Sequence, residues 1–336
     1  MTDGTAVAAG TQWDARVEGE ITAVAVRAGE PAALAVATED GTCWWIDDAG
    51  VIRAHTPTEV DLPTSIAVHP LHDEITVTGP QGYAIWQPGH APRHFRAGWS
   101  SSSSYSRNGD LAVAAGRTVI LHSPHAEEYT STPAPSTVTG LAWSRQANRV
   151  AASAYGGVYV YDNQHPAPVR THPYTGSHLA VALSPTGGWV CSGNQDASVH
   201  IWRSADNSEL QMRGFPSKVT RLAFDSTGRW LANNGAADVA VWDFAGKGPE
   251  GRGAQMLKGH TMVADLDWRP GASTTLASVG SEGEVRVWTL RPGGRGLPQS
   301  WAFGLDDARM VRWMDPGRLI VTRAHGVVTA LPWRKP

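Results

Sequence analysis

The sequence predicts an all-β fold, built from a segment of about forty residues that recurs along the chain. Thirty-six glycines and 22 prolines among 336 residues indicate frequent turns, and 15 tryptophans indicate a chain that folds around a packed core. The third apolar segment of each of the eight copies ends at an equivalent position, and these positions recur every 36 to 46 residues, at Ile46, Trp86, His122, Tyr161, Trp202, Trp242, Trp288 and Leu331.

Each copy contains four short segments with the patterns of β-strands. The first alternates apolar and polar residues, as in Val219–Phe224, and the polar turn Asp225–Gly228 follows it. A second segment of small residues leads to a third that ends in Val-x-Val-Trp, at 239–242. The fourth and more polar segment is represented by Glu209–Arg213 of the preceding copy. Short strands separated by frequent turn residues predict an all-β array.

Several short motifs resemble the WD40-repeat β-propeller family. They are the Gly259-His260 pair, the run Asp196–Trp202 that reads Asp-x-x-Val-x-Ile-Trp, the Trp242-Asp243 pair and the turn Asp40–Thr42. The resemblance covers the chain from about residue 12. It implies a closed propeller of four-stranded antiparallel blades. Eight blades are favoured, and seven, with one degenerate copy outside the ring, are the alternative.

The resemblance also implies how the ring closes. The strand-like segment Thr11–Gly19 precedes the first copy in the register of a fourth strand, and the chain ends just after the third strand of the last copy, Val327–Leu331. We therefore expect the N-terminal strand to complete the last blade and to cover an open strand edge. Residues 1–10 are expected to form a disordered or loosely held N-terminus, and residues 11–336 a single WD40-like domain.

The chain departs from the family pattern in a buried hydrogen-bond network of His, Ser, Asp and Trp. Only the seventh copy has the Gly-His pair, and Glu282 stands at its aspartate position. Copies two, three, four and eight lack a clear aspartate there. The network is therefore expected to be complete in few blades or none, so that packing carries more of the stability.

Composition argues against nucleic acid and membrane partners. The 28 basic and 31 acidic residues give a net charge of −3, with no basic stripe, and no window approaches about 18 uninterrupted apolar residues. Cys43 and Cys191 lie far apart and form no CxxC pair, so a disulfide framework and a structural zinc site are not expected. With no secretory signal in the first residues, these features predict a soluble, cytoplasmic protein.

Catalytic motifs are absent from the sequence. The patterns G-x-S-x-G, G-x-x-x-x-G-K-[ST] and H-E-x-x-H do not occur, so we predict no enzyme activity, no cofactor and no metal site. His69 and His72 have a metal-like spacing but fall in a predicted turn. The serine run Ser100–Ser104 aligns with the innermost strand of the third copy, where small side chains fit near the axis of a propeller.

Four charged residues interrupt the small side chains of the innermost strands. At two equivalent positions most copies carry Ala, Ser or Gly, whereas copies six to eight carry Arg221, Asp265, Asp267 and Arg312. Residues two apart on a strand lie on one face. One interpretation is an inter-blade network of ion pairs, Arg221 with Asp265 and Asp267 with Arg312. The other is a polar site at the channel mouth that binds a charged side chain of a partner.

The function implied by the resemblance is a non-catalytic scaffold or adaptor that binds a protein or peptide through a face of the propeller. A sensor or targeting module that acts with a separate effector protein is one alternative, and a hydrolase with a site in the channel is another. Aromatic anchors are expected at such a face. Five tryptophans lie outside the usual position of the repeat and are candidates, with packing between blades as the alternative for each: Trp13, Trp44, Trp99, Trp189 and Trp301.

Overall fold

The computed structural model describes residues 10–27, 32–123, 126–146, 148–162, 164–271, 274–291 and 298–334. Within these ranges the chain consists of strands joined by turns and loops, and no helix that could cross a membrane is found there. Most of the segment expected to be a loosely held N-terminus, residues 1–9, lies outside the described residues, so its disorder stays a prediction.

The described residues form thirty strands, numbered in chain order. The first fifteen are β1 (Trp13–Arg16), β2 (Ile21–Arg27), β3 (Ala33–Thr38), β4 (Thr42–Asp47), β5 (Ile52–Pro57), β6 (Ser65–Val68), β7 (Ile75–Gly79), β8 (Gly82–Trp86), β9 (Arg93–Arg96), β10 (Ser100–Tyr105), β11 (Leu111–Ala115), β12 (Thr118–Ser123), β13 (Ala126–Thr130), β14 (Gly140–Trp143) and β15 (Arg149–Asp162). The others are β16 (Arg170–Leu183), β17 (Trp189–Asn194), β18 (Val199–Arg203), β19 (Glu209–Met212), β20 (Leu222–Phe224), β21 (Trp230–Asn233), β22 (Val239–Asp243), β23 (Gln255–Leu257), β24 (Val263–Trp268), β25 (Thr275–Gly280), β26 (Val285–Thr289), β27 (Gln299–Phe303), β28 (Ala308–Asp315), β29 (Arg318–Arg323) and β30 (Val327–Pro332).

These strands form hydrogen-bonded sheets in which neighbouring strands run antiparallel. Six sheets have four strands each: β2 to β5, β6 to β9, β10 to β13, β20 to β23, β24 to β27, and β28 to β30 with β1 as the fourth strand. One further sheet has six strands, β14 to β19. The all-β fold with four-stranded antiparallel blades that the sequence predicts is thus confirmed.

The sheets follow one another around a closed ring. The innermost strand of one sheet packs against that of the next, β2 against β6, β6 against β10, β10 against β14, β20 against β24 and β24 against β28. Strand β16 contacts both β14 and β20, and β28 contacts β2, which returns the ring to its start. Because these strands crowd around one axis, their side chains are mostly small.

The hydrophobic core lies between neighbouring sheets. Val285 and Val287 of β26 are fully buried in one cluster with Trp313 and Val321 of the next sheet. Each sheet has a neighbour on both sides, so both of its faces are covered. The second strand of a blade therefore reads as an uninterrupted run of buried residues, as in Ala33–Thr38.

Strand β1 closes the ring as predicted. It pairs with β30, with Trp13 opposite Ala330. The indole of Trp13 reaches the neighbouring sheet, where its Nε1 donates to the carbonyl of Asp48 at 3.0 Å. A Cβ atom on Gly50, which has a positive φ of 81°, would lie 2.5 Å from the indole, so this approach requires glycine. The contact joins the last blade to the first.

The number of sheets differs from the favoured count of eight. Seven sheets are present among the described residues, which is the alternative count, and the eight-blade count is not confirmed. The reason lies in β15 and β16, which have 14 residues each, whereas the longest of the other described strands, β28, has 8. Strand β15 lies within the fourth copy of the repeat, whereas β16 runs from the end of the fourth copy into the fifth and so joins the two copies into one six-stranded sheet.

Candidate interaction site

A cavity of about 350 Å³ lies in the channel, at the end where most of the innermost strands begin. Residues of β2, β6, β10, β14, β16, β20, β24 and β28, or directly before them, line it. Hydroxyl groups contribute much of its polar wall, among them those of Thr22, Ser65, Ser102, Thr139 and Thr220. The charged residues of the described lining are Arg221, Asp265 and Arg312.

Asp265 on β24 is the centre of this charged group. Its side chain accepts hydrogen bonds from Arg221 Nε at 3.2 Å, from Arg312 Nη1 at 2.5 Å and from the backbone N–H of Val311 at 3.2 Å. Arg221 directly precedes β20, and Arg312 lies on β28, so one carboxylate joins three consecutive sheets. These donors offset the desolvation of a buried carboxylate.

Asp267 lies two residues further along β24 and has a different contact. Its Oδ2 accepts the backbone N–H of Trp313 at 2.8 Å, while Trp313 Nε1 donates to the carbonyl of Asp267 at 3.2 Å. Burial raises the pKa of Asp267 to about 6, although the positive charge of Arg312 acts in the opposite direction. Arg312 donates to Asp265 rather than to Asp267, which corrects that half of the predicted ion-pair network. The predicted pairing of Arg221 with Asp265 is observed.

The charged side chains differ in what they present to the cavity. The side chain of Arg221 is 50% exposed and that of Arg312 is 27% exposed, whereas that of Asp265 is 3% exposed. The carboxylate is covered by its own donors. The accessible charge in the described lining is therefore carried by the two guanidinium groups.

The seventh copy contains the hydrogen-bond network of the family pattern, with glutamate in place of aspartate. Trp288 Nε1 donates to Ser278 Oγ at 2.8 Å, and this hydroxyl lies 2.8 Å from His260 Nε2. The serine proton is thus available to His260 Nε2, and Nδ1 carries the ring proton that reaches Glu282 Oε1 at 3.0 Å. Burial lowers the pKa of His260, although Glu282 opposes the shift.

One cluster in the described part of the chain has ligand atoms close enough together to suit a metal ion. The atoms belong to His260, Glu282 and Glu284 and lie within 4.8 Å of one another. Both ring nitrogens of His260 are already engaged, and Glu284 accepts two hydrogen bonds from Arg286, at 2.9 and 3.0 Å. Hydrogen bonding within the fold therefore accounts for this cluster.

Sequence reasoning misses a second histidine network, in the fifth copy. His178 Nε2 donates to the carbonyl of Tyr174 at 3.1 Å, and its Nδ1 lies 2.8 Å from Ser192 Oγ. The hydroxyl of Tyr174 donates in turn to Asp196 at 2.7 Å. This copy lacks the Gly-His pair, and the histidine follows a serine just before the alternating segment, a signal too weak to identify the network.

Comparison with protein families matches this same stretch of the chain. Residues 167–203 match the family model described as "WD domain, G-beta repeat". The chain contains a WD40 repeat, and its sheets form a β-propeller. The matched residues contain His178, Ser192 and Asp196, so the network of the fifth copy lies inside the matched repeat.

Three curated proteins that match this chain share about a quarter of the aligned residues with it. Actin-interacting protein 1 of Caenorhabditis elegans is 24% identical over 54% of this chain and 30% of its own length. Small ribosomal subunit protein RACK1 of Brassica napus is 27% identical over 35% of this chain and 40% of its own. Guanine nucleotide-binding protein subunit beta of Saccharomyces cerevisiae is 24% identical over 55% of this chain and 45% of its own. The matched stretches span less than half the length of each relative.

The five tryptophans outside the usual position of the WD40 repeat divide into packed and exposed residues. The fully packed ones are Trp44, Trp189 and Trp301. Trp13 is half-buried at the closure of the ring. Trp99 is 49% exposed and directly precedes β10, whose Ser101 and Ser102 line the cavity. Packing therefore accounts for the other four tryptophans, and Trp99 stays a candidate anchor.

Leu62 is a second exposed apolar residue at this end of the propeller. It is 64% exposed and lies just before Thr64 and Ser65, which line the cavity. The hydroxyl of Thr64 donates to the carbonyl of Ser100 at 2.6 Å and so joins the loop of Leu62 to the loop of Trp99. We call the cavity together with Leu62 and Trp99 the channel face.

Proposed function

We propose that this chain is a non-catalytic scaffold that binds a protein or peptide through the channel face. The observation that carries the proposal is the open cavity with accessible guanidinium groups and an exposed indole beside it. Tryptophan and arginine are enriched among the residues that dominate the energy of protein interfaces. In this proposal Arg221 and Arg312 contact the partner. Asp265 orients both of them, and Asp267 holds the adjoining backbone of β28.

The names of the relatives support a function in interaction. They describe an actin-interacting protein, a protein of the small ribosomal subunit and a subunit of a guanine nucleotide-binding protein. Each of these names describes either an interaction with another protein or membership of a larger assembly. Since only part of each relative is matched, the partner of this chain is inferred from the chemistry of its own cavity.

The chemistry of the cavity supports binding rather than catalysis. A nucleophilic hydroxyl needs an adjacent general base. The described lining contains hydroxyl groups but no histidine and no lysine, and its one carboxylate, that of Asp265, is engaged by three donors. We therefore propose neither a reaction nor a cofactor for this cavity.

Replacing Trp99 with alanine is expected to weaken partner capture without lowering stability, because the indole is half exposed at the channel face. An aromatic anchor contributes about 2 kcal/mol or more to binding, which is roughly a 30-fold change in affinity. The measurement is a pull-down with the full chain, quantified by mass spectrometry, and a melting curve for each variant.

Leu71→Ala is the matched control for this experiment. Leu71 is also an exposed apolar residue, but it lies in the turn between β6 and β7, at the opposite end of the strands. Proteins that are lost with Trp99→Ala and kept with Leu71→Ala support the proposal. Equal capture by the two variants would place the interaction elsewhere, and the absence of any specific capture would count against a scaffold function.

We propose further that the six-stranded sheet acts as two blades, so that the ring has eight. In β16, residues 170–173 and Ser177 pair with β15, whereas residues 178–183 pair with β17. In β15, residues 150–153 pair with β14, whereas Tyr155 and residues 157–160 pair with β16. Glycines with positive φ interrupt both strands, with Gly156 and Gly157 at the register shift in β15 and Gly176 directly before Ser177 in β16. An experimental structure with seven innermost strands around the channel would contradict this assignment.

A further inference from the structure

We propose that the channel face binds an acidic peptide and that one carboxylate side chain of the peptide enters the cavity between Arg221 and Arg312. This inference rests on the proposed scaffold function and adds the chemistry of the partner. It follows from three features of the cavity: which charges are accessible, which donors are unused, and how much space is available.

Accessible charge in the cavity has one sign. The described lining contains two arginines and one aspartate, and the aspartate is covered by its own hydrogen-bond donors. Asp267 is not part of the lining and is held against the backbone of Trp313. A group that enters the cavity therefore meets guanidinium groups rather than carboxylates. Such a surface attracts an anionic group and repels a cationic one.

Both guanidinium groups keep hydrogen-bond donors that Asp265 does not use. Arginine has five N–H donors in a planar fork. Arg221 commits Nε to Asp265 and one Nη1 donor to the carbonyl of Thr220 at 3.5 Å. Arg312 commits its Nη1 to Asp265 and to the carbonyl of Val311 at 2.6 Å. The other donors have no partner in the described part of the chain, and a carboxylate matches their geometry.

Space in the cavity suits a single side chain of a peptide. Its volume of about 350 Å³ is at the lower end of the usual range for ligand pockets and too small for a folded element. The peptide backbone would then cross the channel face, where Leu62 and Trp99 offer apolar surface. We therefore expect an apolar residue near the acidic one in the ligand.

The first experiment selects peptides from a random phage-displayed library on the full chain. We expect the selected peptides to be enriched in aspartate or glutamate. The best peptide is then compared by fluorescence polarisation with its isostere, in which the acidic residue is replaced by Asn or Gln. The isostere is expected to bind at least about tenfold more weakly, because a charge-assisted hydrogen bond is lost. Added salt is expected to weaken the acidic peptide more than the isostere.

Two variants of the chain test whether the preference for the acidic peptide depends on the cavity. Arg221→Gln removes an accessible charge and is expected to weaken the acidic peptide about tenfold or more, and to weaken the isostere much less, because the amide oxygen of the isostere makes only a neutral hydrogen bond. Arg107→Gln removes an exposed charge in the turn between β10 and β11, at the other end of the strands, and is expected to change neither affinity. Melting curves check that both variants fold.

Other outcomes would overturn the inference in distinguishable ways. Selected peptides without a preference for acidic residues, or an equal loss of affinity in both variants, would overturn the acidic ligand and leave the scaffold function standing. A peptide with phosphoserine at the acidic position that binds more tightly than the carboxylate peptide would assign the cavity to phosphate instead. If no peptide is selected and no protein is captured, the inference and the proposed function both fail.

Discussion

Replacing Asp265 with alanine is expected to lower the free energy of unfolding by about 3–5 kcal/mol. The substitution leaves the guanidinium groups of Arg221 and Arg312 close together without their shared counter-ion, and it leaves the backbone N–H of Val311 without its acceptor. Because Asp265 joins three sheets, this loss affects the packing of neighbouring blades as well. The measurement is urea unfolding followed by tryptophan fluorescence.

Asp206→Ala is the matched control for this prediction. Asp206 also pairs with an arginine, Arg203, at 3.5 Å, but both side chains are exposed. Water and salt screen such a pair, so we expect the urea midpoint of this variant to stay close to that of the unaltered protein. If Asp265→Ala unfolds at the same urea concentration as Asp206→Ala, then the charged group does not hold the blades together.

A fall in pH from 7.5 to 5.5 is expected to destabilise the fold, because buried histidines must then gain a charge. Burial lowers the pKa of His172, His178 and His260 from the usual value of 6.5. Their neutral forms stabilise the fold fully above pH 6.5, and this contribution is lost as the pH falls below that value. Each unit of difference in pKa between the folded and unfolded states corresponds to about 1.36 kcal/mol per group.

Protonation of Asp267 changes the stability in the opposite direction. This one carboxyl group does not cancel the loss of stability caused by protonation of three histidines. Its pKa is raised to about 6 in the fold, so its protonation adds stability as the pH falls from about 6 towards 3.8. Urea unfolding at pH 7.5 and at 5.5 measures the sum. We expect a smaller difference between the two pH values in His178→Gln, while a substitution of the exposed His94 leaves the difference unchanged. An unchanged difference in His178→Gln would show that this buried imidazole is not responsible.

The positions of most strands could be predicted from the sequence. Trp202 and Trp242, which mark the ends of third segments in the repeat, lie in β18 and β22 as expected. The prediction succeeds because each blade buries both faces against its neighbours. Apolar residues are therefore required at equivalent positions of every copy, and they recur at a regular spacing in the sequence. The pairing of β1 with β30 follows from the same repeat, since a fourth strand is missing at one end and present at the other.

The partners of the charged residues could be predicted only in part. Alignment of strands shows which side chains share a face, but not which neighbour each side chain reaches. A bulge between Val263 and Asp265 shifts the register of β24 against β25, and Arg312 contacts Asp265 rather than Asp267. The exposure of Trp99 could not be predicted either, because it depends on how loops that are far apart in the sequence lie beside one another.

The turn between the second and third segments of the fourth copy could not be identified from its residues. The glycine pair Gly156-Gly157 replaces the polar turn found in other copies, and β15 continues through it as one long strand. Glycine permits this because both residues have a positive φ, of 90° and 149°. A sequence pattern records the types of residues, and it cannot distinguish a turn from a bend within one strand at such a pair.

Synthesis on the ribosome makes β1 long before the strand to which it binds. The hydroxyl of Thr329 on β30 donates to Asp14 on β1 at 2.7 Å, across 315 residues of chain. The blades between them can form one after another as the chain emerges, but the ring cannot close until β30 has been made. During that interval the nascent protein has unpaired strand edges at both ends of its growing array, and such edges bind chaperones or other unfinished chains. Translation of β30 therefore ends the period in which this propeller is most prone to aggregate.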